Sequence, residues 1–324
     1  MSTDIRLASN LSPFSRLSDR FVPAGYGEGY EFRKQLEQLA AIEGIKAVAL
    51  GWPSQFQNGA ELKKMLVDVG LELAVVEPDI YTEARFKNGS LSNPDAKVRR
   101  AAIDRVKRTI DAGLEAGSPD MNLWLAHDGF DYFFQGHYAE AWNWIVEGLQ
   151  EIAEHDSKMT ICLEYKCKEP RAHQYAANAG TALLLVGKVN KPHVGITLDV
   201  GHSLFAQENP ANCAVLAIRE GRLRQIHLND NYRDWDHDLI PGAVNVWDHV
   251  EFFYWIRTLG YPGWFCIDVF PYREDGVEAL RQTVQVCRKC CVMADRLIEM
   301  NVGELLRNGR HLEVMTLLWD MVGN

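Results

Sequence analysis

The sequence contains no apolar run approaching the roughly 20 residues that a membrane-spanning helix requires. Its opening stretch, MSTDIRLASNLSPFS, lacks a basic start followed by an apolar core, so no signal peptide is read. Positive charge is in deficit: 34 Lys and Arg stand against 44 Asp and Glu, a formal net charge of −10. That balance argues against a nucleic-acid-binding surface and suits a cytoplasmic enzyme. No Gly-rich phosphate loop follows the first candidate strand, which speaks against a dinucleotide-binding sheet. Cysteines are few and irregularly spaced: seven, an odd number, at 162, 167, 213, 266, 287, 290 and 291. Cys287 and Cys290 make one C-x-x-C inside a helical pattern with no second pair, which reads as helix packing rather than as a zinc or redox site. Scattered thiols fit a reducing compartment.

The 324 residues are 47% hydrophobic, enough for one large α/β barrel or two ordinary domains. Short apolar runs alternate with helical patterns. The expected strands cover residues 20–25 (RFVPAG), 46–51, 72–78, 121–126, 158–165, 194–200, 223–228 and 264–269. Helices are expected over 31–42, 60–69, 94–116, 138–154, 176–189, 212–219, 247–259 and 277–300. Strands buried on both faces read as continuous Val, Ile and Leu-rich runs, as these do. Eight β-α units in series predict a closed (β/α)₈ TIM barrel over residues 1–300, with a C-terminal helical extension over 301–324. An open doubly wound sheet is the alternative.

Four of the apolar runs end in a metal-ligating side chain. TICLEYK delivers Glu164, GITLDVGH delivers Asp199, RQIHLND delivers His227 and WFCIDVF delivers Asp268. In a barrel these strand ends share one mouth. Three carboxylates and an imidazole favour Mn²⁺, Mg²⁺ or Co²⁺ over a structural zinc, which prefers thiolates. Like charges brought together call for a cation, since repulsion otherwise raises their pKa values. For a single strand-end Asp the alternative reading is a turn cap. His202 follows Asp199 by three positions, and the loop after strand seven carries Asp234, Asp236 and Asp238 in DWDHDL. Those acids read either as a second chelating group or as a solvated acidic loop. Lys166 shares a strand face with Glu164 and could polarise a carbonyl oxygen or form an ion pair.

These segments resemble the xylose isomerase-like barrels. LEYKCKEPRAH is similar to their Glu-x-Lys segment with its following Glu-Pro-Arg, and Asp199-x-x-His202 to their carboxylate-x-x-His. FKNGS, NPDAKVRRAAIDRVKRTIDAG and LWLAHDG resemble in order the loop, helix and fourth strand of that superfamily. LWLAHDGFDYFFQG looks closest to the shorter bacterial L-rhamnose isomerase type, and HLNDNYRDWDHDL resembles the strand-seven loop whose Asp-x-Asp holds a second metal. The resemblance runs from about Phe86 to Asp268.

The resemblance implies an aldose–ketose isomerase that uses Mn²⁺, Mg²⁺ or Co²⁺, as many as two per subunit, and a metal-assisted hydride shift. Carried over, Glu164, Asp199, His227 and Asp268 form the first metal site, and Asp199, His202, Asp236 and Asp238 the second. Lys166, Asp236 and His202 take catalytic roles, Lys166 holding the C1 oxygen. Trp124 walls the pocket, where an aromatic face suits the C–H side of a sugar. Relatives are commonly tetramers, so a homo-oligomer, tetramer or dimer, is expected. One departure stands out: strand two ends in GWPSQFQN, with Trp52 and Gln55 where the family carries a ring-opening His. His127 is the candidate substitute, with Trp52 beside the substrate. The departure keeps open a keto-sugar lyase or deglycosidase working through an enediolate; the other rivals are a single-metal ketose 3-epimerase and a non-catalytic sugar-binding barrel, which would not need two acidic clusters. A metal-dependent endonuclease of the same barrel type is opposed by the negative charge.

Overall fold

Branched and small apolar residues concentrate in eight short segments that bury both faces, and these become the staves of a closed parallel barrel. In the computed structural model, which describes residues 5–169 and 171–323, the strands are Arg6–Ser9, Ile45–Trp52, Glu72–Pro78, Asp120–Trp124, Thr160–Glu164, Val194–Asp199, Leu223–Leu228 and Trp264–Ile267. They are called strands one to eight below. Each pairs with its sequence neighbours, and strand one closes on strand eight. Pro170 of the Glu-Pro-Arg segment, the first four residues and Asn324 lie outside the described residues.

Strand one is not where the apolar pattern puts it. Residues 20–25 form turns in the loop that follows it. There the Asp19 carboxylate accepts from the backbone N–H groups of Phe21 and Val22 at 2.7 Å each, and Gly25 takes a φ of +94°. The real strand is only four residues long, and burying Leu7, Ala8 and Ser9 is enough to close the barrel. Such a short run inside a polar lead-in carries too little periodicity to be seen.

Local caps set the helix boundaries. The fifth crossover helix starts at Ala179, not 176, because Asn178 and Thr181 form a reciprocal capping box. Asn209 caps the helix Pro210–Arg219, whose proline occupies the first turn, where its missing N–H costs nothing. The long helix Ala96–Ala116 packs tightly on strand three: a Cβ at Gly113 would come within 2.5 Å of Val76. Two elements escape the pattern altogether. Gly129–Phe130 and His173–Gln174 make an antiparallel pair that ties together the loops after strands four and five. After Gly276–Glu299 come two further helices, Val302–Arg307 and His311–Gly323, with Trp319 edge-on against Trp247. Among the described residues no helix is long and apolar enough to cross a membrane.

Candidate active site

The parallel register carries the four candidate ligand residues to one end of the barrel. Glu164 closes strand five, Asp199 closes strand six in register with His227, and Asp268 follows the last residue of strand eight. One ligand atom from each of Glu164, Asp199, His227 and Asp268 lies within 4.8 Å of the others. His227 Nδ1 is 3.3 Å from Glu164 Oε1, 3.8 Å from Asp268 Oδ2 and 3.9 Å from Asp199 Oδ2.

Fixed donors orient each carboxylate. Asn122 Nδ2 donates to Glu164 Oε2 at 2.7 Å, and Asn10 Nδ2 donates to Asp268 Oδ1, which leaves Glu164 Oε1 and Asp268 Oδ2 turned to His227. Asp199 accepts from the His202 backbone N–H at 2.8 Å and from Asn229 Nδ2 at 3.0 Å, so it caps the short helix Val200–Phe205 as well as facing the cluster. The DVGH segment needs its glycine: a Cβ at Gly201 would stand 1.7 Å from Asn229 Oδ1. Asn122 is itself held by Thr197 Oγ1, which donates to Asn122 Oδ1 at 2.7 Å.

The electrostatics are those of buried carboxylates gathered around one imidazole. Burial opposes charge on His227, yet Glu164, Asp268 and Asp199 outweigh it and push the imidazole up to about 10. Burial, with Asp199, Glu164 and Glu77 adding to it, holds Asp268 up at about 7 against the pull of His227. Glu164 falls to about 2 despite burial, drawn down chiefly by His227. Both ring nitrogens of the buried His227 lack a hydrogen-bond partner. A buried imidazole with carboxylates near it but no hydrogen bond to either nitrogen is a poor structural device and a good ligand set. The donors are oxygen and nitrogen without thiolate, which fits a divalent cation of the Mg²⁺, Mn²⁺ or Co²⁺ kind.

The second acidic group is differently arranged. Asp236 Oδ2 lies 2.6 Å from Lys166 Nζ and 3.1 Å from His202 Nε2. Lys166 also pairs with Glu169 and sits 5.0 Å from the centre of the Trp124 ring. Burial works against the Lys166 charge, but Asp236 and Glu169 hold its pKa well above the usual lysine value. His202 Nδ1 meets the Tyr165 carbonyl at 2.9 Å; burial opposes its charge, but Asp199 and Asp236 raise it to about 9. Burial, then Asp236, holds the Asp238 carboxyl well above the carboxylate range. Asp234 points outward, 4.0 Å from His237. Among the described residues, only the first four gather their ligand atoms closely.

Apart from the fully buried Asp199, both groups line one cavity of about 320 Å³. Trp124 forms part of its wall, with Tyr81 edge-on at 5.0 Å. Trp52 is turned away. Ala49 faces the cavity, so alternation sends Trp52 to the opposite face, where its indole N–H donates to the Gln57 carbonyl at 3.3 Å. His127 lies beyond strand four, after Ala126 with its φ of +33°, and lines a neighbouring cavity of about 500 Å³ with Phe130 and Trp144. Sequence reasoning passed over Asn10, Glu77, Tyr81 and Asn122, all of which line the main cavity. For Glu77 the signal was present: ELAVVEP is an apolar run closing on an acid, the design that marks strands five and six. Asn122, inside MNLWLA, gave none.

The xylose isomerase-like TIM barrel family model matches residues 28–290. The chain belongs to that family. Xylose isomerase of Thermus thermophilus is 26% identical over 233 residues, covering 70% of this chain and 60% of the relative. Xylose isomerase of Solibacter usitatus is 25% identical over 239 residues, covering 72% of this chain and 50% of its own length. The chain thus spans between half and 60% of these curated relatives. A crystal structure of D-psicose 3-epimerase in the presence of D-fructose superposes with a TM-score of 0.68 at 19% identity, over 89% of this chain and 99% of the other. At that identity the likeness speaks to the xylose isomerase-like fold alone. The resembling motifs, from about Phe86 to Asp268, fall inside the family match.

Proposed function

We propose that this chain is a divalent-metal-dependent sugar isomerase that interconverts an aldose and a ketose. The observation that carries the reading is the convergence of Glu164, Asp199, His227 and Asp268 around an imidazole with no hydrogen-bond partner, on the floor of a sugar-sized cavity. The names of the curated relatives support it. A cation held by these four supplies Lewis acidity to adjacent sugar oxygens. The remaining work belongs to the chain. Lys166 meets the sugar's carbonyl oxygen and stabilises the negative charge that develops there. Asp236 and His202, bonded to each other, move protons among the sugar hydroxyls. Trp124 offers its face to the C–H side of the sugar and keeps water away.

The test is a screen of metal-reconstituted protein against a panel of aldoses and ketoses with products resolved. An aldose deuterated at C2 is expected to give a ketose that retains deuterium at C1, because a hydrogen moved directly between carbons never meets water. The second reading is a ketose 3-epimerase working through an enediolate. It is favoured by the capture of Asp236 by Lys166, which leaves a single gathered ligand group among the described residues. Solvent deuterium in a C3-inverted product selects it. Residues 1–300 are assigned to one barrel domain and 301–324 to an extension. The loop aromatics Tyr132, Phe133 and Phe134, the last two more than 90% exposed, support a dimer or tetramer, testable by sedimentation. Seven free cysteines fit a cytoplasmic setting.

A further inference from the structure

Sugars of five or six carbons rest mainly as rings, while both reactions above act on the open chain. Opening a ring needs a group that gives a proton to the ring oxygen and takes one from the anomeric hydroxyl. Most titratable groups lining the cavity already have a part in the reading above or a partner of their own. Glu164, Asp199, His227 and Asp268 face one centre, and Lys166, His202, Asp236 and Glu169 are bonded among themselves. Asp238 Oδ1 faces Asn229 Nδ2 at 3.5 Å. Burial, then Glu77, holds the Tyr81 hydroxyl far above its ordinary range, and burial does the same to the Cys266 thiol.

Glu77 differs from all of these. It stands near the end of strand three, partly exposed, and lines the cavity. Among the described residues its one hydrogen bond is a long one, 3.3 Å from Asn122 Nδ2 to Oε1, and its other oxygen takes none. Its register partner on strand two is Gly51, and that strand offers the cavity no acid or base. Ala49 lines the wall there, and the Gln55 side-chain carbonyl is occupied by the Gly51 N–H at 2.6 Å. Burial raises the Glu77 carboxyl above its ordinary value, against the pull of His227.

We infer that Glu77 is the acid–base group that opens the sugar ring, an assignment that rests on the sugar-isomerase reading. The bond from the anomeric carbon to the ring oxygen breaks. Its electron pair goes to the ring oxygen, which takes the Glu77 proton. The anomeric O–H pair becomes the second bond of the carbonyl, and the released proton restores the carboxyl. Nothing is oxidised or reduced, and Glu77 ends as it began.

The experiment compares the parent with Glu77→Gln, which keeps the volume and the acceptor for Asn122, and with Glu77→Asp, which keeps the acid. Three readouts are taken. The metal-dependent rise in melting temperature should match the parent in both variants. In Glu77→Gln, kcat/KM for a ring-forming aldose should fall by about 100-fold or more, the usual size for a lost acid–base group. Erythrulose, too short to close a ring, should lose less than about threefold, since the deleted step is absent for it. Anomer exchange of a pure α-aldose, followed by polarimetry, should be speeded by the parent and by Glu77→Asp but not by Glu77→Gln. Equal losses on both substrates, a lost metal response, or anomer exchange unaffected by Glu77→Gln would each overturn the assignment. A parent that isomerises or epimerises no sugar overturns the isomerase reading, and this assignment falls with it.

Discussion

Two groups of acidic side chains in this molecule make opposite uses of charge. On the outside, Glu151 is fully answered: Arg100 reaches its two oxygens at 2.6 and 2.5 Å, and Lys107 Nζ lies 2.6 Å from Oε1. Those hydrogen bonds, from Arg100 first and then Lys107, pull its carboxyl down to about 2. At the barrel mouth three carboxylates surround one imidazole, and their properties are driven apart. Glu164 falls to about 2 while Asp268 rises to about 7. The outer group is complete within the fold. The inner one is buried and gathers three carboxylates around a single imidazole. Desolvation makes such a gathering of carboxylates costly, and a bound divalent cation would offset that cost.

The contrast can be broken by experiment, and the largest effect is expected at the mouth. Asp199→Ala should abolish metal-dependent turnover, a fall of at least about 100- to 1000-fold, and calorimetric titration should show weakened metal binding. An Asp199→Ala protein that binds metal as tightly as the parent would mean that the four residues are not the site. Next in size is Lys166→Met, similar in volume but uncharged. It should lower kcat by about 100-fold, as for a lost electrostatic group at the reacting oxygen, while the melting temperature still responds to metal. A Lys166→Met enzyme with parental kcat would reduce the lysine to an ion-pair partner of Asp236.

Chelation should separate the two regions directly. A cation bound only by the folded state at 100 times its Kd stabilises by about 2.7 kcal/mol. Stripping it should therefore lower the melting temperature in the parent and in Glu151→Gln alike; an unchanged value in the parent would place the mouth on the same footing as the surface. The smallest effect belongs to Glu151. Its folded pKa is depressed below the usual 4.5, so its contribution is present above that value and lost as pH falls toward about 2. Its side chain is 37% exposed, and solvent screening limits the pair to at most about 1 kcal/mol. Glu151→Gln should lower the melting temperature slightly at neutral pH and not at pH 2, with the difference shrinking in high salt.

Seven of the eight strands and the convergence of Glu164, Asp199, His227 and Asp268 could be read from the chain alone, because burial on both faces writes a local apolar run and a parallel barrel delivers every strand end to one mouth. Strand one could not, since a four-residue stave has almost no pattern and is recruited by the edges of strands two and eight. Side-chain direction was equally hidden. Trp52 and His127 stand near the right strand ends yet face elsewhere, while Glu77 and Asn122 face the cavity. Charge compensation was hidden too. DWDHDL looks like a chelating loop, but folding brings Lys166 from strand five's end onto Asp236. Asn10 orients Asp268 across 258 positions of sequence. Period and composition are properties of neighbours along the chain, so sequence determines them. Which donor meets which carboxylate depends on groups brought together only when the barrel closes, and that was decided by the tertiary structure.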